Sequence, residues 1–321
     1  MRYRKLGRTG TKVSVLSFGG ASLGDEYGKI DAADGERAVS CAIDRGINYF
    51  DVAPYYGANL AEERLGDALI GKRKSVILAT KVGRYRTNGG EYFDFSSRAT
   101  RSSVEGSLKR LRTDWLDLVQ AHDIEFLPAN VIIDEVIPEM ERLKREGKIR
   151  FAGITGYSLG ILRAVAESIP VDTILSYCRY NLLDTSMDQM LAAFSAGREI
   201  GLINASPLHM GALTEKRVPE WHPAPQIVLK AAEKAGQHCA SKGTNIAELA
   251  LQFALAFDSV ATTLVGMSNI EHVRRNLEVM KKAIDRKLLK EVLDILKPAA
   301  NIFWQEGIPE NYDPGSVPQR S

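Results

Sequence analysis

The sequence predicts an α/β protein folded as a parallel eight-stranded (β/α)8 TIM barrel, and three observations carry that reading. Eight short apolar runs recur along the 321 residues, at 13–20, 48–53, 75–83, 115–123, 149–156, 173–180, 201–208 and 261–267. Each has the length and β-branched content of a strand buried on both faces. Segments with helical spacing lie between them, so strand and helix alternate, which is the pattern of a parallel sheet. No Gly-x-Gly-x-x-Gly follows any run, and "GGASLG" (19–24) has the wrong glycine spacing, which argues against a doubly wound dinucleotide-binding sheet.

The elements follow in order. The opening segment 3–14 carries a Gly-Arg-Thr-Gly turn and reads as a hairpin closing the barrel floor. Segment 35–46 puts Ala38, Cys41, Ala42 and Arg45 at helical spacing. Segments 100–112 and 131–147 follow the same pattern, although Pro138 predicts a kink or break in the second. An extra helix over 226–243 precedes helical patterns at 245–257 and 269–284. Gly46, Gly147 and Gly201 stand where helices stop and strands begin. No linker, longer repeat or low-complexity tract interrupts the alternation, so residues 1–321 are expected to form one domain.

Composition narrows the function. Apolar residues make up 45% and charged residues 26%, the mix of a globular protein. With 42 basic and 40 acidic residues the net charge is only +2, which gives no reason to expect a nucleic-acid or membrane partner. The basic opening "MRYRK" has no apolar stretch behind it, unlike a signal peptide. The run 249–257 is broken by Gln252 and is too short to span a bilayer. Cys41, Cys178 and Cys239 stand far apart, so neither a disulfide framework nor a metal site is expected, and a cytoplasmic location fits.

Barrel active sites lie at the C-terminal ends of the strands. Asp51 falls near the end of the second run, Lys81 near the end of the third and His122 near the end of the fourth, with Tyr55 and Tyr56 in the loop after Asp51. Neighbouring strands lie about 4.8 Å apart, so these groups converge. A lysine beside a tyrosine favours the phenolate and is expected to bring the phenol's pKa down toward working pH. A carboxylate would compensate the buried ammonium. The histidine would orient a reacting oxygen. The set suits proton transfer to or from an alcohol or carbonyl oxygen. Singly, each has a plainer reading: Asp51 with Lys81 as a structural ion pair, a tyrosine as a packed aromatic, His122 as a loop cap.

At these residues the chain resembles the aldo-keto reductases, from "YRKLGRTGTKVSVLSFGG" through "GINYFDVAPYYG", "ATKVG" and "LVQAHD" to "LVGMSNIEHVRRNLEV". The resemblance implies a nicotinamide cofactor, NAD with NADP as an alternative, and selects Tyr56 over Tyr55 as the acid/base, tuned by Lys81 and Asp51. It implies cofactor contacts from Gly20, Ala21, Asp51, Thr155, Tyr177, Ser206, Leu208, Gly211, Gly266, Ser268, His272, Arg275 and Asn276. Three positions depart from the family pattern: Ala205 stands where an aromatic is common, Tyr177 where Gln is common, and Gly156 where Asn is common. Several segments are similar to the sugar-oxidising members of the family. They imply an aldose substrate such as L-galactose or L-fucose, oxidised at C1 and met by His122, Asp123, Trp221 and His222, with Trp304 in reach. Trp221 has an equal reading as a loop anchor. The competing functions are an NADPH-linked reductase of small aldehydes and ketones, and a non-enzymatic cofactor-binding subunit. A monomer or weak homo-oligomer is expected.

Overall fold

The computed structural model describes residues 1–87 and 89–320. The eight runs become eight strands: β1 (Leu16–Gly19), β2 (Tyr49–Asp51), β3 (Ile77–Val82), β4 (Leu116–Ala121), β5 (Ile149–Gly156), β6 (Thr173–Tyr177), β7 (Gly201–Ala205) and β8 (Thr262–Gly266). They form a closed barrel in which each strand lies parallel to its neighbour in sequence, and β8 pairs back onto β1. The predicted fold class is the observed one.

Strand alternation decides what enters the barrel. Tyr49, Ala79, Leu118, Leu175, Ile203 and Leu264 form an apolar layer inside it. Two residues further along β2, β3 and β4 stand Asp51, Lys81 and Gln120. The polar groups therefore form the next layer toward the C-terminal mouth. Below the apolar layer, Tyr3–Lys5 pairs antiparallel with Lys12–Ser14, and Leu6 and Val13 of this hairpin join the same buried apolar cluster as Tyr49 and Ile203. Gly7, at φ +49°, is pressed so closely onto the start of β7 that a Cβ there would lie 2.3 Å from the Gly201 nitrogen. The hairpin does close the floor.

The outer wall is helical. Helix α1 (Ala32–Asp44) starts where the Asp31 side chain accepts from the Asp34 N–H, and it buries Ala38, Val39 and Ala42 against the strands. Pro138 does not break its helix. The residues just before it, Ile132–Val136, form a π turn, and the α-helix Ile137–Arg145 runs on through the proline. The wider turn accommodates the missing N–H and the bulk of the ring, so helix 129–145 is continuous. The sequence reading has no counterpart for helices Leu60–Ala68, Leu159–Ser168 and Arg286–Leu296, for the π turn Asp188–Ala192 and helix Ala193–Gly197 that precede β7, or for a second hairpin pairing Arg84–Thr87 with Gly90–Phe93 after β3.

The C-terminal tail crosses the mouth. The Ile308 N–H donates to the Glu125 carbonyl at 2.9 Å, and Asn311 Nδ2 donates to the Glu125 and Leu127 carbonyls. The Arg320 N–H reaches the Pro223 carbonyl at 2.9 Å. Asp313 receives the N–H groups of Leu159 and Gly160 at 2.9 and 2.8 Å and lies 3.2 Å from the fully buried Arg179. Among the described residues no helix is long and apolar enough to cross a membrane, and no cluster of three His, Cys, Asp or Glu side chains is arranged to hold a metal.

Candidate active site

Asp51, Lys81 and Gln120 meet inside the barrel mouth. Lys81 Nζ donates to Asp51 Oδ1, to the Val52 carbonyl at 3.0 Å and to the Tyr56 hydroxyl at 3.3 Å. Gln120 Nε2 donates to the other Asp51 oxygen at 2.9 Å. All three side chains are buried, and opposed charge holds the Lys81 ammonium above its ordinary range despite desolvation. The His122 ring stands edge-on to Tyr56, centroids 5.8 Å apart, and its backbone N–H is tied to the Val82 carbonyl at 2.8 Å. Burial lowers the His122 pKa to about 3, so the imidazole is neutral across the physiological range. Its Nδ1 has no partner among the described residues.

The loop that carries Tyr56 is locked from below. A Cβ on Gly24 would lie 2.6 Å from the Tyr56 carbonyl carbon, and one on Gly57, at φ +61°, would lie 2.4 Å from the Gly24 oxygen. Only glycine permits this approach between the loops after β1 and β2. Tyr55 points elsewhere. Its hydroxyl accepts from Arg84 at 3.4 Å and from Arg86, both on the second hairpin.

One expectation is reversed. Burial outweighs Lys81 and lifts the Tyr56 phenol above its ordinary value, with Asp51 and Asp123 adding to the rise. Proximity of an ammonium alone does not produce a phenolate here.

The arrangement suits proton transfer at the Tyr56 hydroxyl beside a neutral hydrogen-bonding ring. Residues 15–297 match the model of the Aldo/keto reductase family. The chain belongs to this family. It is 43% identical over 318 residues to L-galactose dehydrogenase of Arabidopsis thaliana, covering 96% of this chain and 98% of that one. It is 30% identical to D-arabinose 1-dehydrogenase of Saccharomyces cerevisiae, covering 92% and 95%. Among solved structures it superposes with a TM-score of 0.79 on aldo-keto reductase AKR11C1 from Bacillus halodurans in its holo form, at 28% identity and covering 98% and 100%.

Aldo/keto reductases use nicotinamide cofactors, and the residues at the mouth fit one. Gly266, Gly19 and Asp51 lie in one register line across β8, β1 and β2. Gly266 is exposed, and the nearby Ser22 Oγ is buried without a partner among the described residues, 3.8 Å from where a Gly266 Cβ would stand. Gly20 and Ala21 begin the turn after β1 that also holds Ser22. Ser268 and His272 hydrogen-bond at 3.1 Å at the start of helix Ile270–Val279, whose N-terminus suits a phosphate. Asn276, one turn further, is partly exposed. Ser206, Leu208 and Gly211 lie partly exposed on the loop after β7. Ser206, His209 and Met210 there hold φ near +50°. Tyr177 ends β6 beside Ala205 and packs on Tyr157 at 5.5 Å.

Other candidates are placed differently from expectation. The Thr155 hydroxyl accepts the Asp123 N–H at 3.0 Å, so it steadies the loop after β4. Arg275 lies 3.4 Å from Glu248 on a cleft of about 620 Å³, whose lining includes none of Asp51, Tyr56, Lys81 or His122. Gly156 has a local cause: the buried Glu125 carboxyl occupies the space where its Cβ would stand, 2.3 Å away. His222 is corrected from substrate contact to loop pin. It is buried, its Nε2 meets the His209 carbonyl at 2.9 Å and its Nδ1 accepts the Ala224 N–H at 3.1 Å, leaving no ring nitrogen free. Trp304 is likewise an anchor, buried and stacked on Tyr157 at 4.1 Å. Trp221 is exposed and faces Tyr27 at 6.2 Å, which leaves it available to a ligand. Asp123, at φ +57°, pairs with Arg84 at 2.5 Å within the pocket.

Sequence reasoning missed Gln120, Arg84 and Glu306. Gln120 had the same signal as its neighbours, since it follows Leu118 by two on an inward-facing strand. Arg84 and Glu306 reach the mouth from a hairpin and a tail, where no periodicity marks the direction of a side chain.

Proposed function

We propose that this chain, as one domain over residues 1–321, oxidises an aldose at C1 to its lactone. L-Galactose is the first choice and L-fucose the second, with NAD⁺ as acceptor. The observation that carries the reading is the Lys81 ammonium touching both Asp51 and Tyr56 inside the mouth, with the neutral His122 beside them. Relatives named as L-galactose and D-arabinose 1-dehydrogenases support the substrate class. The bound nicotinamide supplies the acceptor for the C1 hydride. Tyr56 takes the proton from the anomeric hydroxyl, Lys81 and Asp51 stabilise the charge that forms, and His122 orients the oxygen. Asp123 and Trp221 bound the sugar. The proposed setting is the cytoplasm, with the protein a monomer or weak homo-oligomer. The test is a panel of free aldoses with each cofactor, read by absorbance of the reduced nicotinamide and by product analysis. No reduced cofactor with L-galactose or L-fucose, or oxidation at a carbon other than C1, defeats the reading.

NAD⁺ is expected over NADP⁺. A 2′-phosphate needs committed cations. Burial lowers the His272 pKa below its ordinary value, and Arg275 already meets Glu248. Lys216 lies close enough to His272 to influence it and works against this preference. A kcat/KM that favours NADP⁺ by about tenfold reverses it.

One observation favours a second reading. A phenol held above its ordinary pKa stays protonated at neutral pH, the form needed to protonate a carbonyl oxygen, which suits the NADPH-linked reduction of small aldehydes and ketones.

A further inference from the structure

Glu306 is a carboxylate at the mouth that the proton relay does not use. The tail delivers it there on a fixed support. Trp304 is buried against Tyr157, its backbone N–H donates to the Tyr157 hydroxyl at 3.2 Å, and its indole N–H donates to Glu306 Oε2 at 2.7 Å. Gln319 Nε2 donates to the same oxygen at 3.1 Å. The other oxygen, Oε1, has no partner among the described residues and is not sealed from solvent.

Charged and titratable groups surround it from several elements. Asp123 and Glu125 approach from the loop after β4, Arg84 and Glu91 from the second hairpin, and Tyr177 and Cys178 from the end of β6. Arg84 is the cation among them, and it is already shared by Asp123 at 2.5 Å and Glu91 at 2.7 Å. The pocket thus has carboxylate oxygens to accept sugar hydroxyls, and among the described groups that face Glu306 the one cation, Arg84, is already paired and does not receive a second anion.

We infer that Glu306 is a specificity-determining residue, which as a carboxylate accepts a hydroxyl of a neutral sugar and repels sugar acids. This rests on the sugar-oxidation reading above. Burial lifts the Glu306 pKa to about 7, with Asp123 and Glu91 adding to the rise and Trp304 and Arg84 opposing it. The group is therefore mostly neutral below that pH and anionic above it, so rejection of an anionic sugar strengthens as pH rises through neutrality.

The experiment compares L-galactose with L-galacturonate, which stays ionised throughout. The quantity read is the Ki of L-galacturonate as a competitor divided by the KM of L-galactose. In the wild type this ratio is expected to rise roughly tenfold between about pH 5.5 and about pH 8.5. In Glu306→Gln, which keeps the acceptor for the Trp304 indole, the ratio should stay flat and the alkaline value should fall by about the same factor. Slower oxidation of L-galactose by Glu306→Gln at every pH, with the ratio and its slope retained, marks a structural role and overturns the proposal. Should Glu306→Gln fail to fold, the wild-type profile decides, and a flat ratio overturns it. No oxidation of L-galactose by the wild type ends both readings, whereas oxidation with a pH-independent ratio ends only this one.

Discussion

Tyr55 and Tyr56 are adjacent in sequence, yet their hydroxyls meet different cations, Arg84 and Arg86 for the first and Lys81 for the second. Only the second is linked to Asp51. Tyr56→Phe is therefore expected to lower kcat by about 10²-fold to 10⁴-fold while nicotinamide binding, measured by fluorescence titration, stays near the wild-type value. Lys81→Met should act in the same direction, and Tyr55→Phe should remain active. A dead Tyr55→Phe beside a live Tyr56→Phe would reverse the assignment. The pH profile carries the same argument with its sign worked out. Oxidation needs Tyr56 as base, and burial holds its pKa above the ordinary value, so kcat/KM for oxidation should climb as pH rises into the alkaline range. A bound oxidised nicotinamide, being cationic, shifts that climb to lower pH. Asp51, Lys81 and His122 were legible in the sequence because each ends an apolar run whose direction in the barrel is fixed. The Tyr56 pKa was not, because spacing shows which charge is near and says nothing about how completely water is excluded.

At the level of elements, the tail and the second hairpin build the walls that the barrel leaves open. The hairpin had a sequence signal, the Asn88-Gly89 pair between Tyr85 and Tyr92, of the kind that favours tight turns. The tail had none, since its course depends on single polar contacts with residues far away in sequence, such as Glu125, Leu159 and Pro223. Asp313 is the clearest of these. It caps helix Leu159–Ser168 through two backbone N–H groups and pairs with Arg179, which has no exposed surface and whose other carboxylate neighbour among the described residues, Asp184, lies at 3.5 Å. Removing one partner leaves a buried charge under-compensated. Asp313→Ala is expected to destabilise the protein by roughly 3–5 kcal/mol, seen as a lower Tm, and to loosen Trp304 with the rest of the tail. A Tm within error of the wild type would show that the tail docks without this pair.

For the whole molecule, the barrel was legible because eight β-branched runs with helices between them leave few other ways to bury both faces of every strand. What that pattern does not show is which polar groups the closed core encloses, and two buried histidines make the difference measurable. His122 and His209 both have pKa values lowered to about 3 by burial, against an ordinary value of 6.5. A depressed pKa means that the unfolded chain binds the proton more readily. Stability is then full above about pH 6.5 and is lost as pH falls toward 3. At about pH 4 each histidine accounts for roughly 3 kcal/mol of that loss. Glu306, with its pKa raised to about 7, runs the other way, since its contribution is largest in acid and disappears as pH rises to neutrality. A single melting curve therefore sums opposing effects, and a variant isolates one of them. His209 suits this because both ring nitrogens lack partners among the described residues, while its ring lies 5.7 Å from that of His222 and edge-on to Trp304 at 5.6 Å. His209→Phe keeps an aromatic ring and removes the proton site. The loss of unfolding free energy between about pH 7 and about pH 4, measured by denaturant titration at each pH, should be smaller than in the wild type by roughly 3 kcal/mol. An unchanged difference between the two pH values would mean that His209 is already protonated in the folded protein, against its enclosure by Trp304 and His222.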